Sequence, residues 1–169
     1  MKITYSFVML VIITMFFVGT CGVSFAATQS VEENEIALRE VYDFIKGCSN
    51  YYLATVEGDQ PRVRPFGSLA IFEGRIYFQT GKVKDVSKQM SINPKIEICA
   101  YDGKGTWLRV QAIAVDDERL EAKQFVLDAH PGLKGMYSAD DDNIQVLYLK
   151  DAIARFHSFS DDEPKIIEF

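Results

Sequence analysis

YYLATVEGDQPRVRPFGSLAIFEGRIYFQTGKVKDVSKQM, residues 51–90, decides the fold. Residues 51–56 are apolar and β-branched, and Glu57-Gly58-Asp59-Gln60 supplies turn chemistry. The spacing predicts a return strand over 62–72, a turn at Glu73-Gly74 and a third strand over 75–80. Gly81 breaks that strand, and Lys82 and Lys84 stand where a short helix opens. A phosphate at such a junction would meet free backbone N–H groups, the positive helix end and two lysines.

Charge singles out the same stretch. Between Arg62 and Lys95 there are seven Lys/Arg and two acids, Glu73 and Asp85, in a chain of net charge −6. A basic island in an acidic protein is where an anionic ligand would sit. Alternating Arg62 and Arg64 can instead face solvent on an edge strand; the nearby Lys82 and Lys84 favour the anion site. The overall acidity argues against nucleic acid as a partner, because nothing forms an extended basic face.

Four segments, YLATVEGDQPRVRPF, RIYFQTGKVKDVSKQM, NPKIEICAY and GTWLRV, together resemble the pyridoxamine 5′-phosphate oxidase-like family of FMN-binding split barrels. The resemblance runs from about Tyr51 to the end of the chain. It implies a small antiparallel split β-barrel, mainly β with flanking helices, that pairs as a homodimer with a flavin at each end of the interface. By the same match Arg62, Arg64, Pro65 and Phe66 lie along FMN, and Thr80, Gly81, Lys82 and Lys84 hold its phosphate. Related small members include nitroimidazole-resistance reductases, and others bind deazaflavin or haem. The chain ends in HSFSDDEPKIIEF and lacks the Arg/His-bearing terminus of true pyridoxamine-phosphate oxidases, which argues against that substrate.

Outward from this stretch, the first 26 residues have the form of a secretory signal. Lys2 is the one charge before Glu32, an apolar run follows over 7–18, and Ser24 and Ala26 are the small residues before a cut after Ala26. The run is short for a membrane span of about 20 residues. Cleavage is the favoured expectation and leaves a single domain, 27–169, exported to the periplasm or beyond, with no stable span. The alternatives are an uncleaved membrane anchor and, less favoured because Thr20 is a poor residue before it, a lipoprotein at Cys21. Without twin arginines the chain crosses unfolded. Residues 30–46 are expected to form an amphipathic helix, with Ser30 and Glu33 as a capping box and Ile36, Ala37, Val41, Phe44 and Ile45 on its apolar side.

Downstream, the pattern predicts a helix over 85–92, strands over 95–101 and 106–115 with an irregularity near Gln111, and a helix over 116–129 closed by His130-Pro131-Gly132. Leu120, Phe125, Val126 and Ala129 are its apolar-face positions. Strands over 144–149 and 152–159 and a tail over 161–169 complete the chain. Cys48 and Cys99 remain after leader removal. A disulfide suits an exported protein, but Cys99 lies in an apolar strand, and free thiols are the favoured expectation. His130 is expected at a helix end and His157 in a barrel strand, with no metal-binding spacing between them. Trp107 has two open readings: core packing, the default for a strand tryptophan, and, from the family resemblance, the wall of a flavin or substrate pocket.

These expectations combine into an FMN-binding oxidoreductase acting on a small-molecule substrate or electron donor, with no protein acid or base assigned. The isoalloxazine carries the electrons and the protein supplies position and polarity. The alternative is a non-catalytic flavin- or haem-binding protein, because nicotinamide reductants are scarce outside the cytoplasm.

Overall fold

Tight turns divide the chain into eight strands among the described residues: β1 (Tyr51–Glu57), β2 (Gln60–Phe66), β3 (Ala70–Phe72), β4 (Arg75–Gly81), β5 (Lys95–Tyr101), β6 (Thr106–Asp116), β7 (Ile144–Ser158) and β8 (Lys165–Glu168). Three helices accompany them: α1 (Cys21–Gly47), α2 (Asp85–Ile92) and α3 (Leu120–Ala129). The structure is a computed structural model describing residues 21–160 and 162–169, with side chains from residue 32 onward. The architecture below belongs to the compact unit Glu35–Phe169. For residues 1–20 the expected leader lies outside the described residues. Among the described residues no helix is long and apolar enough to cross a membrane.

All pairings are antiparallel, in the order β2-β1-β5-β6-β7-β4-β3, with β8 added beside β7. This is the mainly antiparallel sheet with flanking helices expected of a small split barrel. The strand expected over 62–72 is two strands. β2 pairs with β1, whereas β3 pairs with β4 at the other end of the order. Gly67-Ser68-Leu69 carries the chain between them. The Glu73-Gly74 turn has positive φ at both residues, 48° and 68°, which matches the twist of a two-residue hairpin.

Other boundaries moved because pairing partners lie far away in sequence. β6 continues through Asp116, whose register partner is Leu147, so α3 starts at Leu120 and not at 116. Its buried residues are Ala122, Lys123, Val126 and Leu127, whereas Leu120 and Phe125 are exposed. β7 is one strand and not two. The irregularity near Gln111 is present as a register shift opposite Asp151, which takes φ 51°. The expected tail forms β8. Helical backbone passes through Ser30, so that residue does not cap α1. Within the described unit, α1 buries Leu38, Val41 and Ile45 and leaves Ile36 exposed.

Strand alternation builds the core. Tyr51, Leu53, Ile96, Ile98, Leu108 and Val110 point inward and join Leu38, Val41 and Ile45 of α1 and Val86 and Met90 of α2. A second cluster gathers Tyr77, Val126, Leu127, Ile144 and Val146 beneath α3. β4 belongs to both. Ile76 and Phe78 face the first cluster and Tyr77 the second, and every residue from Ile76 to Gly81 is buried. The end of β4 is thereby a rigid platform for the segment that follows.

Candidate functional site

A Cβ on Gly81 would lie 2.9 Å from the Tyr137 hydroxyl and 3.2 Å from the Asn143 side-chain oxygen. Glycine here lets the segment before β7 close onto the end of β4. Asn143 then takes up the backbone after Gly81. Its carbonyl accepts from Lys82 N–H (2.7 Å), and its Oδ1 accepts from Val83 N–H (3.1 Å). Lys84 N–H donates to Gly81 O (3.0 Å). The N–H groups of Lys82, Val83 and Lys84 are therefore engaged. As in any helix, the first N–H groups of α2, those of Asp85 and Val86, have no intrahelical acceptor.

Beside this junction lies a cavity of about 560 Å³, within the range of small-molecule sites. Of the residues expected around a flavin, Arg64, Pro65, Phe66, Thr80 and Lys84 line it. Arg62, Gly81 and Lys82 do not. Arg62 is held by Glu57 at 2.6 Å, and Lys82 by Glu118 at 2.8 Å. The wall also includes Ser68 and Gln79, Val86 of α2, and the His130-Pro131-Gly132 corner after α3. The β2–β3 crossover, the end of β4, the start of α2 and the end of α3 therefore meet at one place.

The cations on this wall lack a counter-charge among the described residues. Arg64 donates to Leu53 O (3.2 Å), Thr55 Oγ1 (2.7 Å) and Gln89 Oε1 (2.7 Å), all neutral acceptors. Thr55 in turn donates to Gln89 Oε1 at 2.6 Å, so the guanidinium is fixed by a closed polar cluster. Burial, followed by repulsion from Arg62, lowers the Arg64 pKa. Neither Arg64 nor Lys84 has a carboxylate partner among the described residues. Thr80 is 1% exposed, and its hydroxyl has no hydrogen-bond partner. Buried polar groups are ordinarily paired. Arg64 is partly buried, where a counter-charge would stabilise it, and Lys84 is exposed. Two cations without a carboxylate partner lining one cavity fit an anionic group, and the phosphate of FMN has that chemistry.

The local pattern held hints of part of this cluster. Thr55 shares the inward face of β1 with Tyr51 and Leu53, and Gln89 lies beside Met90 on the buried side of α2. Two polar side chains on buried faces need partners. His130 gave no such hint: its ring contact is with Leu69, 61 residues away.

Trp107 does not line the cavity. Its ring stacks on His157 at 5.3 Å and 11° and meets Phe159 at 5.2 Å. His157 Nε2 is buried without a partner. Register and alternation place Tyr52, Cys99, Tyr101, Trp107 and His157 on one outer face of the sheet, with Tyr52 and Tyr101 half exposed. Of the two readings of Trp107, core packing is replaced by this aromatic stack. Cys48 and Cys99 are free thiols, each with its pKa raised by burial. Among the described residues no group of three or more His, Cys, Asp or Glu is placed to hold a metal.

A NimC/NimA family protein of Clostridium acetobutylicum is 38% identical to this chain, covering 83% of it and 98% of its own length, with a TM-score of 0.78. The chain belongs to the NimC/NimA family. That places it among the pyridoxamine 5′-phosphate oxidase-like split barrels. A C. acetobutylicum protein related to general stress protein 26, of the pyridoxine-phosphate oxidase family, shares the fold at 15% identity and TM-score 0.54, covering 80% of this chain and 94% of its own. A haem-binding protein of Mycobacterium smegmatis shares it at 15% identity and TM-score 0.57, with coverage of 79% and 57%. No family model and no curated protein matches the chain. At 15% identity the last two structures speak to fold alone. The NimC/NimA match extends along nearly the whole length of its relative.

Proposed function

We propose that this protein is an exported FMN-binding oxidoreductase whose cofactor phosphate occupies the cavity between β4, α2 and the corner after α3. One observation carries the proposal: Arg64 and Lys84 line one cavity, and neither has a carboxylate partner among the described residues. Bound FMN would supply hydride or single-electron transfer through its isoalloxazine. The chain's residues bind and orient. Arg64, held by Thr55 and Gln89, presents a fixed cation. Lys84 adds a flexible one at the start of α2, where the helix end also favours an anion. Pro65 and Phe66 form an apolar wall beside Arg64. Lys82 is already neutralised by Glu118 and contributes little.

Homodimerisation and export belong to the same proposal. The aromatic outer face with Tyr52, Tyr101 and the 81%-exposed Phe159 supports a second copy as partner. Lys2, the apolar run over 7–18 and the Ser24/Ala26 pair support passage across a membrane and cleavage after Ala26. A visible spectrum of purified protein tests the function. Flavin bands that bleach with a reductant and recover with an acceptor support the oxidoreductase. Flavin bands without turnover, or a haem Soret band, establish the binding-protein alternative and end the proposal. Intact mass of protein from the cell envelope tests cleavage.

A further inference from the structure

His130 ends α3 and lines the cavity, and its Nε2 lies 2.9 Å from both the N–H and the carbonyl oxygen of Leu69. Those two contacts demand opposite protonation states of Nε2. The partners decide between them. Leu69 is 1% exposed and lies between β2 and β3, outside the ladders, so its N–H has no other acceptor among the described residues. Its carbonyl already receives the Tyr42 hydroxyl at 3.4 Å. If Nε2 donated, a buried N–H would be left unpaired. If Nε2 accepts, both Leu69 groups are paired. In a neutral ring the proton is then on Nδ1, which has no protein partner among the described residues.

Resting on the reading of the cavity as a phosphate site, we propose that His130 is a further ligand-binding residue whose Nδ1–H, held in that tautomer by the Leu69 N–H, donates to the bound phosphate. The ring carries out two tasks with two nitrogens. Nε2 fastens the crossover to the corner after α3, and Nδ1 completes a wall made of donors: Arg64, Lys84 and His130. Such a wall selects an anionic, acceptor-only group over a neutral one. The charged groups around the corner do not oppose this, because Asp128 is paired with Lys134 at 2.6 Å.

Two substitutions separate the tasks. In His130→Gln the side-chain amide reaches the Nε2 position, so the Leu69 contact is retained and the Nδ1 donor is lost. In His130→Asn the amide stands near the Nδ1 position, so the donor is retained and the Leu69 contact is lost. The experiment is titration of the full chain and both variants with FMN and with riboflavin, together with nitrogen-detected NMR of the His130 ring during titration with inorganic phosphate. The expected results are an Nδ1–H tautomer, an Nδ1–H resonance that moves on adding phosphate, and FMN binding weakened roughly tenfold in His130→Gln. FMN binding in His130→Asn stays within about threefold of wild type, and riboflavin changes little in either variant. An Nε2–H tautomer, an unmoved resonance, or His130→Gln binding FMN as tightly as wild type overturns the proposal. If phosphate moves the resonance but FMN does not bind the wild type, the anion site stands and the flavin reading falls.

Discussion

Arg62 and Arg64, like Lys82 and Lys84, are two residues apart, yet the members of each pair have opposite fates. Arg62 and Lys82 are closed by Glu57 and Glu118 at the surface. Arg64 and Lys84 line a cavity and have no carboxylate partner among the described residues. Exposed ion pairs contribute little to stability, but they do remove a cation from competition for a ligand. The difference teaches that a basic island is no uniform binding surface. Its acidic neighbours, brought in from distant segments, select which cations remain available.

The largest expected effect is at Arg64. Arg64→Ala should weaken FMN more than a hundredfold, because a charged hydrogen bond contributes about 1.5–3 kcal/mol and a fixed guanidinium makes more than one. Fluorescence titration checks this. An affinity equal to wild type would make Arg64 a purely structural residue and dissolve the contrast with Arg62.

A smaller and sharper test compares the two lysines. Lys84→Ala should weaken FMN roughly tenfold and leave riboflavin, which lacks the phosphate, nearly unchanged. Lys82→Ala should alter both ligands less than about threefold, because its ammonium is committed to Glu118. Equal losses in the two variants would mean that the phosphate recruits Lys82 away from Glu118.

The smallest effect concerns stability and calibrates what a closed charge cluster contributes. Arg119 first, and then Tyr77, hold the Asp117 carboxylate at a pKa of about 2, below its ordinary 3.8. A depressed carboxylate stabilises the fold above its unfolded pKa, and this stability is lost as pH falls through the folded one. Asp117→Asn should therefore lower stability at neutral pH by about 1–2 kcal/mol, allowing for the partly exposed Arg119. It should also flatten the loss between about pH 4 and 2 seen in the wild type. Urea melts across that range check the sign.

Local chemistry determined much of this protein. β1, the Glu73-Gly74 turn, β4, α2, β5 and the hairpin into β6 follow from alternation, glycine and proline over a few residues each. Those signals act within the segment that carries them. The same stretch put Arg64, Thr80 and Lys84 close in sequence, so the candidate site was legible as a neighbourhood. Only the tertiary structure decided membership in the cavity. Glu118, 36 residues from Lys82, withdraws that lysine, and Asn143 withdraws the backbone N–H groups of Lys82 and Val83. The split of residues 62–72 into β2 and β3 was also invisible locally, because both halves are good strands and only their partners differ. His130 enters through its contact with the Leu69 backbone across the fold. Hydrogen bonds and ion pairs act over a few ångströms in space, whatever the distance along the chain, and the packing of α3 and the segment before β7 against β4 therefore set which groups were left for a ligand.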